Sequence, residues 1–267
     1  MKCLLIVLAS FLLAQTSFSI AQSVDTATEG KPNTNWMTFY YKSPMPERFV
    51  NELRAMTDAG ILKDDKSQPS FIAFFSQVMA QNPKKVREWL KEFENLDEKQ
   101  RTTILAAAWY SDTDAAKAYF KEKQLNHWVE QIAPDILEMK VDNPATLDML
   151  WAYFMATGKK APIRRIVSAL QLSKYSGAAK RYRESKQTDQ DKKEAWYDAT
   201  FEAAQWSLKA NCNQHPKVLE HCEHIFRDKS TPKAESVWLG LILTKVKPQN
   251  YKVEIDGEQP SNKLTPE

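Results

Sequence analysis

The amino-acid sequence predicts an all-α fold: an array of antiparallel helical hairpins, either a tetratricopeptide-like solenoid or an irregular helical bundle. Three observations carry this. Apolar residues recur at i, i+3, i+4, i+7 and not in alternation. Prolines stand just ahead of most apolar runs, where a helix tolerates a residue without an N–H. Glycine numbers 6 in 267 residues, about a third of the usual ~7%, which argues against glycine-rich phosphate loops and a turn-heavy β fold.

The chain opens with "MKCLLIVLASFLLAQTSFSIAQS". Lys2 precedes an apolar stretch, Cys3 to Ala14, shorter than the roughly 20 residues that span a bilayer. Ser19 and Ala21 are small residues at the −3 and −1 positions of a signal-peptidase site. Residues 1–21 therefore read as a signal peptide cleaved after Ala21, with an uncleaved anchor as the rival reading. The expected destination is the periplasm or exterior of a Gram-negative bacterium, and the absence of any Asn-x-Ser/Thr site agrees with a bacterial source. Residues 22–34 read as a flexible leader. Lys and Arg total 37 against 34 Asp and Glu, a formal net charge of +3. Such near-balance implies no obligate polyanion, and no nucleic-acid partner is expected. No later stretch is long and apolar enough to cross a membrane.

The helical-hairpin domain is expected over 35–245. Phe49, Val50, Leu53 and Met56 form its first stripe, with Gly60 placed to stop that helix. Phe71, Phe75, Val78 and Met79 form the next, then Val86, Trp89, Leu90 and Phe93. Leu105 and Trp109 follow, then Leu147, Leu150, Trp151 and Phe154, then Ile163, Ile166, Val167 and Leu170. Val237, Trp238, Leu241 and Ile242 close the series. Pro46, Pro69, Pro83, Pro144, Pro162, Pro216 and Pro232 mark helix starts, with Asn82, Asn143 and Thr231 as candidate N-caps. Short turns between such helices give antiparallel neighbours. From 246 onward the helical period is lost, so 246–267 reads as a mostly disordered tail, with "YKVEI" as a lone strand candidate.

Weak self-similarity runs through the chain. In 70–93 and 145–170, Ile72, Phe75, Val78 and Met79 align with Leu147, Leu150, Tyr153 and Phe154. Past each proline, Val86, Trp89, Leu90 and Phe93 align with Ile163, Ile166, Val167 and Leu170. Residues 201–226 offer a third copy. The spacing between copies varies, so a strict repeat is absent.

The stretch "CNQHPKVLEHCEH" (212–224) gathers Cys212, Cys222, His215, His221 and His224. At about 100° per residue, Cys222 lies centrally on an apolar face with Val218, Leu219, Ile225 and Phe226. Cys212 falls on the apolar stripe of the preceding helix. An even pair of cysteines in an oxidising compartment reads as a disulfide, with a lengthened turn letting Cys212 fold back. Two buried free thiols, or a metal site using Cys212, His215, His221 and His224, remain the alternatives. The histidines diverge from Cys222, whereas a tetrahedral site needs four convergent ligands.

No HExxH, GxSxG, P-loop or dinucleotide fingerprint is present, so neither a catalytic residue nor a cofactor is expected. His127 stands alone beside Trp128 and reads as a surface or half-buried histidine, with a general base as the alternative. Two segments suggest recognition. "NWMTFYYKSPMPERF" (35–49) offers Trp36, Tyr40 and Tyr41 as an aromatic interface, unless Trp36 and Tyr40 pack inward as a cap. Residues 159–186 carry nine Lys/Arg against one acidic residue, Glu184. Lys159, Lys160, Arg164, Arg165, Lys180, Arg181 and Arg183 form a candidate surface for an anionic envelope component or acidic protein. A solvated face balanced by Asp189, Asp191 and Glu194 is the competing reading.

The blocks "WMTFYYKSPMPE", "FFSQVMAQNP" and "LDMLWAYFMATG" resemble an uncharacterised family of secreted proteobacterial proteins, over most of 35–170. The resemblance implies a compartment and a helical fold, and carries over no catalytic residue. The expected function is a non-catalytic protein-interaction or envelope-binding module. The alternative is a periplasmic hydrolase or metal-binding protein using His127 or the 212–224 cluster.

Overall fold

The computed structural model describes residues 34–184 and 188–251. The signal segment, nearly all of the leader and the tail from 252, including most of "YKVEI", lie outside the described residues. Among the described residues the fold is all-α and contains no strand.

In chain order the helices are α1 (Thr34–Phe39), α2 (Phe49–Asp58), α3 (Gln68–Gln81), α4 (Val86–Lys91) and α5 (Glu98–Tyr110). Then come α6 (Asp114–Glu122), α7 (Asn126–Glu130), α8 (Pro144–Thr157) and α9 (Lys160–Ser168). The last four are α10 (Ala178–Glu184), α11 (Asp189–Gln214), α12 (Pro216–Arg227) and α13 (Lys233–Val246). A long 3-10 segment, Ala169–Tyr175, continues α9.

Local chemistry explains the boundaries. Asp97, Asn143 and Thr113 each accept a backbone N–H from the first turn of the helix they precede. Thr188 and Asp191 form a reciprocal capping box at the start of α11. Gly60 (φ 71°) and Gly158 (φ 63°) take the left-handed conformation that ends α2 and α8. Pro144 and Pro216 begin their helices, while Pro46 and Pro83 begin 3-10 turns. Pro162 is instead the third residue of α9, and Pro232 lies just before α13. The first four helical N–H groups have no intrahelical partner, so a proline at the third position costs no bond. Asn82 does not cap: its amide donates back to the Val78 carbonyl. Thr231 donates to the Ile225 carbonyl instead of capping α13.

The hairpins α3/α4, α8/α9 and α11/α12 are the three self-similar segments. Their aligned apolar positions are core: Trp89, Ile166 and Cys222 are all buried. The packing order departs from simple sequential stacking. α3 packs between α5 and α8, so the fifth helix lies outside the third and does not separate it from the eighth. α11 continues the row against α8, and α13 packs on α11. A single contiguous core runs from Trp36 to Tyr251. Phe49 stacks on Trp89 with centroids 4.0 Å apart. The chain past Val246 is not featureless: residues 248–250 make a turn, and Tyr251 is buried, its ring 6.1 Å from Phe226.

Candidate functional site

The aromatic segment and the Cys/His segment, far apart in sequence, meet in the fold. Trp36 and Tyr40 are buried edge-on against Phe74, at 5.4 and 5.5 Å. They cap the core and present no recognition surface, which is the inward alternative. Tyr41 remains partly exposed. Its ring lies 4.9 Å from Phe154 and its hydroxyl 3.1 Å from His215 Nδ1. The approach depends on Gly158, where a Cβ would stand 3.0 Å from Tyr41 Cδ2.

His215 is fully buried at the single-residue junction between α11 and α12. Desolvation, and then the nearby Lys42 charge, push its pKa down to about 4. The ring is therefore neutral at pH 7. Nδ1 shares a hydrogen bond with the Tyr41 hydroxyl, while Nε2 is buried and meets no partner among the described residues. His221 donates from Nε2 to the Gly158 carbonyl at 3.0 Å. His224 is exposed.

Cys212 and Cys222 face one another in the interior, as expected, but as two free thiols and not a disulfide. The hydrogen bond that Cys222 shares with Cys212, and then burial, hold its thiol well above the ordinary range. The lengthened turn is absent: α11 runs through Gln214, leaving only His215 as connection. Cys212 then sits about 4.5 Å before the junction and Cys222 about 10 Å beyond it, at 1.5 Å per residue. The two thiols meet in a hydrogen bond across the hairpin. The four suggested metal ligands turn to four different partners: Cys222, Tyr41, Gly158 and solvent. Among the described residues no group of three or more His, Cys, Asp or Glu is placed to hold a metal ion.

The basic segment divides into three parts. Arg164 pairs with Glu235, whose carboxylate is wholly buried and also accepts from Gln171. Arg165 donates to the Met139 carbonyl at 2.6 Å. Both arginines therefore hold the fold together and are withdrawn from the candidate binding surface. Lys159 and Lys160 are exposed at the start of α9. Hydrogen bonds from Ser230, and further the Lys160 and Arg164 charges, keep the Asp228 carboxyl below its ordinary range. Lys180, Arg181 and Arg183 are exposed on α10. That helix is fixed to α11 by the buried Asp198, which accepts the Ala179 N–H at 2.9 Å. Beside it the rings of Tyr175 and Tyr197 lie 4.8 Å apart, with Lys174 Nζ 5.1 Å and Lys193 Nζ 5.7 Å from their respective ring centres. Asp191 lies within electrostatic reach of Arg181, and Glu202 of Arg183.

His127 is exposed on α7, where Nδ1 lies 3.3 Å from the Gln131 amide. The described residues give it no carboxylate partner, so the arrangement of a general base is not assembled there. One residue of chemical interest escaped the sequence reading. Asp148 is exposed on α8, most of whose residues are buried, and desolvation pushes its carboxyl up to about 6. The available signal was a single acid inside the apolar run "LDMLWAYFMATG". No family model, curated protein or solved structure matches the chain.

Proposed function

We propose that the protein is a non-catalytic binding module exported to the periplasm or beyond, which holds an anionic envelope component on the surface of α10. One observation carries the reading. Lys180, Arg181 and Arg183 are exposed, and Lys180 and Arg183 make no ion pair among the described residues. They stand on a helix anchored through Asp198, beside two tyrosines and two further lysines. Lysine, arginine and tyrosine together suit a phosphate-bearing surface, where the cations meet the charge and the rings lie at the interface.

The test is charge reversal at Lys180, Arg181 and Arg183 together, with vesicles containing phosphatidylglycerol as probe. Melting temperature should stay nearly constant, because exposed charges contribute little to stability. Vesicle association should fall by at least about tenfold. Unchanged association would return α10 to an ordinary solvated face.

Export carries a second consequence. In an oxidising compartment, Cys212 and Cys222 would transfer two electrons and two protons to a disulfide oxidant. The product would be an S–S bond stapling the α11/α12 hairpin.

A further inference from the structure

The apolar surface left in water is concentrated in one segment. Among the described residues, the large hydrophobic side chains that stand exposed are Val129 (38%), Ile132 (94%) and Trp206 (40%). Two of the three belong to residues 126–138, between α6 and α8. Trp109 and Trp128 widen the patch. Both are partly exposed, their rings meet edge to face at 5.6 Å, and Trp128 is rooted on the buried Phe120. Grouped apolar side chains on a surface mark contact sites, where single ones do not.

The loop after α7 is tied at both ends. The Trp109 indole N–H donates to the Gln131 carbonyl at 3.1 Å. At the far end Asp135 accepts the Leu137 N–H at 2.8 Å, and Ile136 is buried in the core. Pro134 stiffens the stretch between. Ile132, one residue past the pinned carbonyl, is therefore presented to water. A side chain held outward in advance loses little freedom when a partner covers it.

Charge decides what covers the patch. From 126 to 138 the sequence has three acids, Glu130, Asp135 and Glu138, and no Lys or Arg. All three are exposed and make no ion pair among the described residues. The bases nearest in sequence are Lys123, which pairs with Glu94, and Lys140 beyond the far end. An anionic bilayer would be repelled here, whereas a segment with Lys or Arg beside an apolar side chain is complementary in both respects.

We propose that residues 127–138 dock a basic segment of a partner protein: an apolar side chain of the partner covers Ile132 and Val129 beside the two tryptophans, and its Lys or Arg residues meet Glu130 and Asp135. The surface is opposite in charge to α10, so the proposal does not rest on the anionic-surface reading.

The experiment follows the isolated protein by NMR with the peptide acetyl-Lys-Leu-Lys-Leu-Lys-amide as probe. Acetyl-Lys-Ser-Lys-Ser-Lys-amide is the control of equal charge. The leucine peptide should shift the Trp109 indole N–H and the 127–138 amides saturably, and the serine peptide should bind about tenfold more weakly. Ile132→Ser should weaken the leucine peptide about tenfold, with the melting temperature nearly unchanged because the side chain is already in water. Glu130→Lys should weaken it about tenfold at low salt. Equal binding of the two peptides would overturn the proposal. So would undiminished affinity in Ile132→Ser, or the absence of any saturable shift up to the solubility limit of the peptide. Sedimentation of the protein alone and with phosphatidylcholine vesicles tests the other occupants. Self-association or vesicle binding that Ile132→Ser abolishes would seat a second copy or a bilayer on the loop and overturn the basic-segment assignment.

Discussion

The Tyr41 hydroxyl lies 3.1 Å from His215 Nδ1 across 174 residues of chain. This contact joins the segment before the first long helix to the turn of the α11/α12 hairpin. The ring is neutral at pH 7, and a proton added to it would sit buried and beside the Lys42 charge.

Stability should therefore fall in acid through this residue. The folded-state pKa of His215, about 4, lies below the ordinary 6.5, so the unfolded chain binds the proton more readily. The contribution is whole above about pH 6.5 and is lost as pH falls towards 4. Denaturant unfolding at pH 7 and pH 4.5 should show a loss of about 2.5 kcal/mol that His215→Gln lacks. An equal acid loss in both proteins would assign the effect to the carboxylates alone.

Gly158 and Gly60 share the left-handed conformation but differ in surroundings. A Cβ at 158 meets Tyr41, whereas nothing lies within 4 Å of one at 60. Gly60→Ala should cost about 1 kcal/mol from backbone strain. Gly158→Ala should cost clearly more, about 2 kcal/mol, and should also loosen the Tyr41 contact. Amide exchange in residues 39–43 of the variant would show that loosening, and unaltered protection there would separate the glycine from the tyrosine.

Arg164 and Lys180, both read from sequence as one basic surface, should behave oppositely. Arg164→Ala leaves the fully buried Glu235 carboxylate without its cation, at a cost of about 3 kcal/mol. Lys180→Ala should change stability by less than about 0.5 kcal/mol. Similar unfolding midpoints for the two variants would contradict the division of the segment.

Thiol titration of unfolded, unreduced protein recovered from the periplasm should find no free thiol if the pair closes after export. Loss of that bond by reduction should lower stability by roughly 2–3 kcal/mol for a loop of about ten residues. Two thiols per chain would instead leave Cys212 and Cys222 as the hydrogen-bonded pair of the structure.

The helical fold was legible because it rests on local signals. Asn143, Pro144 and Gly158 bracket α8 by their own backbone chemistry, and Trp89, Ile166 and Cys222 occupy equivalent core positions whatever the partner helix. The order α5–α3–α8 was not legible, since pairing between distant helices depends on surfaces and not on periodicity. The same limit applied to the candidate sites. Arg164 looks like a surface cation until Glu235, 71 residues away, is placed against it. Asp148 looks like an ordinary solvated acid until the packing around α8 raises its carboxyl by desolvation. Tyr41 and His215 were both noted, but their meeting belongs to the tertiary structure.

The salt dependence of binding to phosphatidylglycerol vesicles tests the central claim most directly. If exposed cations on α10 hold an anionic surface, association should be measurable at low ionic strength. It should fall steeply as the Debye length shrinks from about 30 Å at 0.01 M salt to about 10 Å at 0.1 M. Neutral phosphatidylcholine vesicles should bind at least tenfold more weakly throughout. Association that is independent of salt, equal on the two vesicles or absent at 0.01 M would contradict the account.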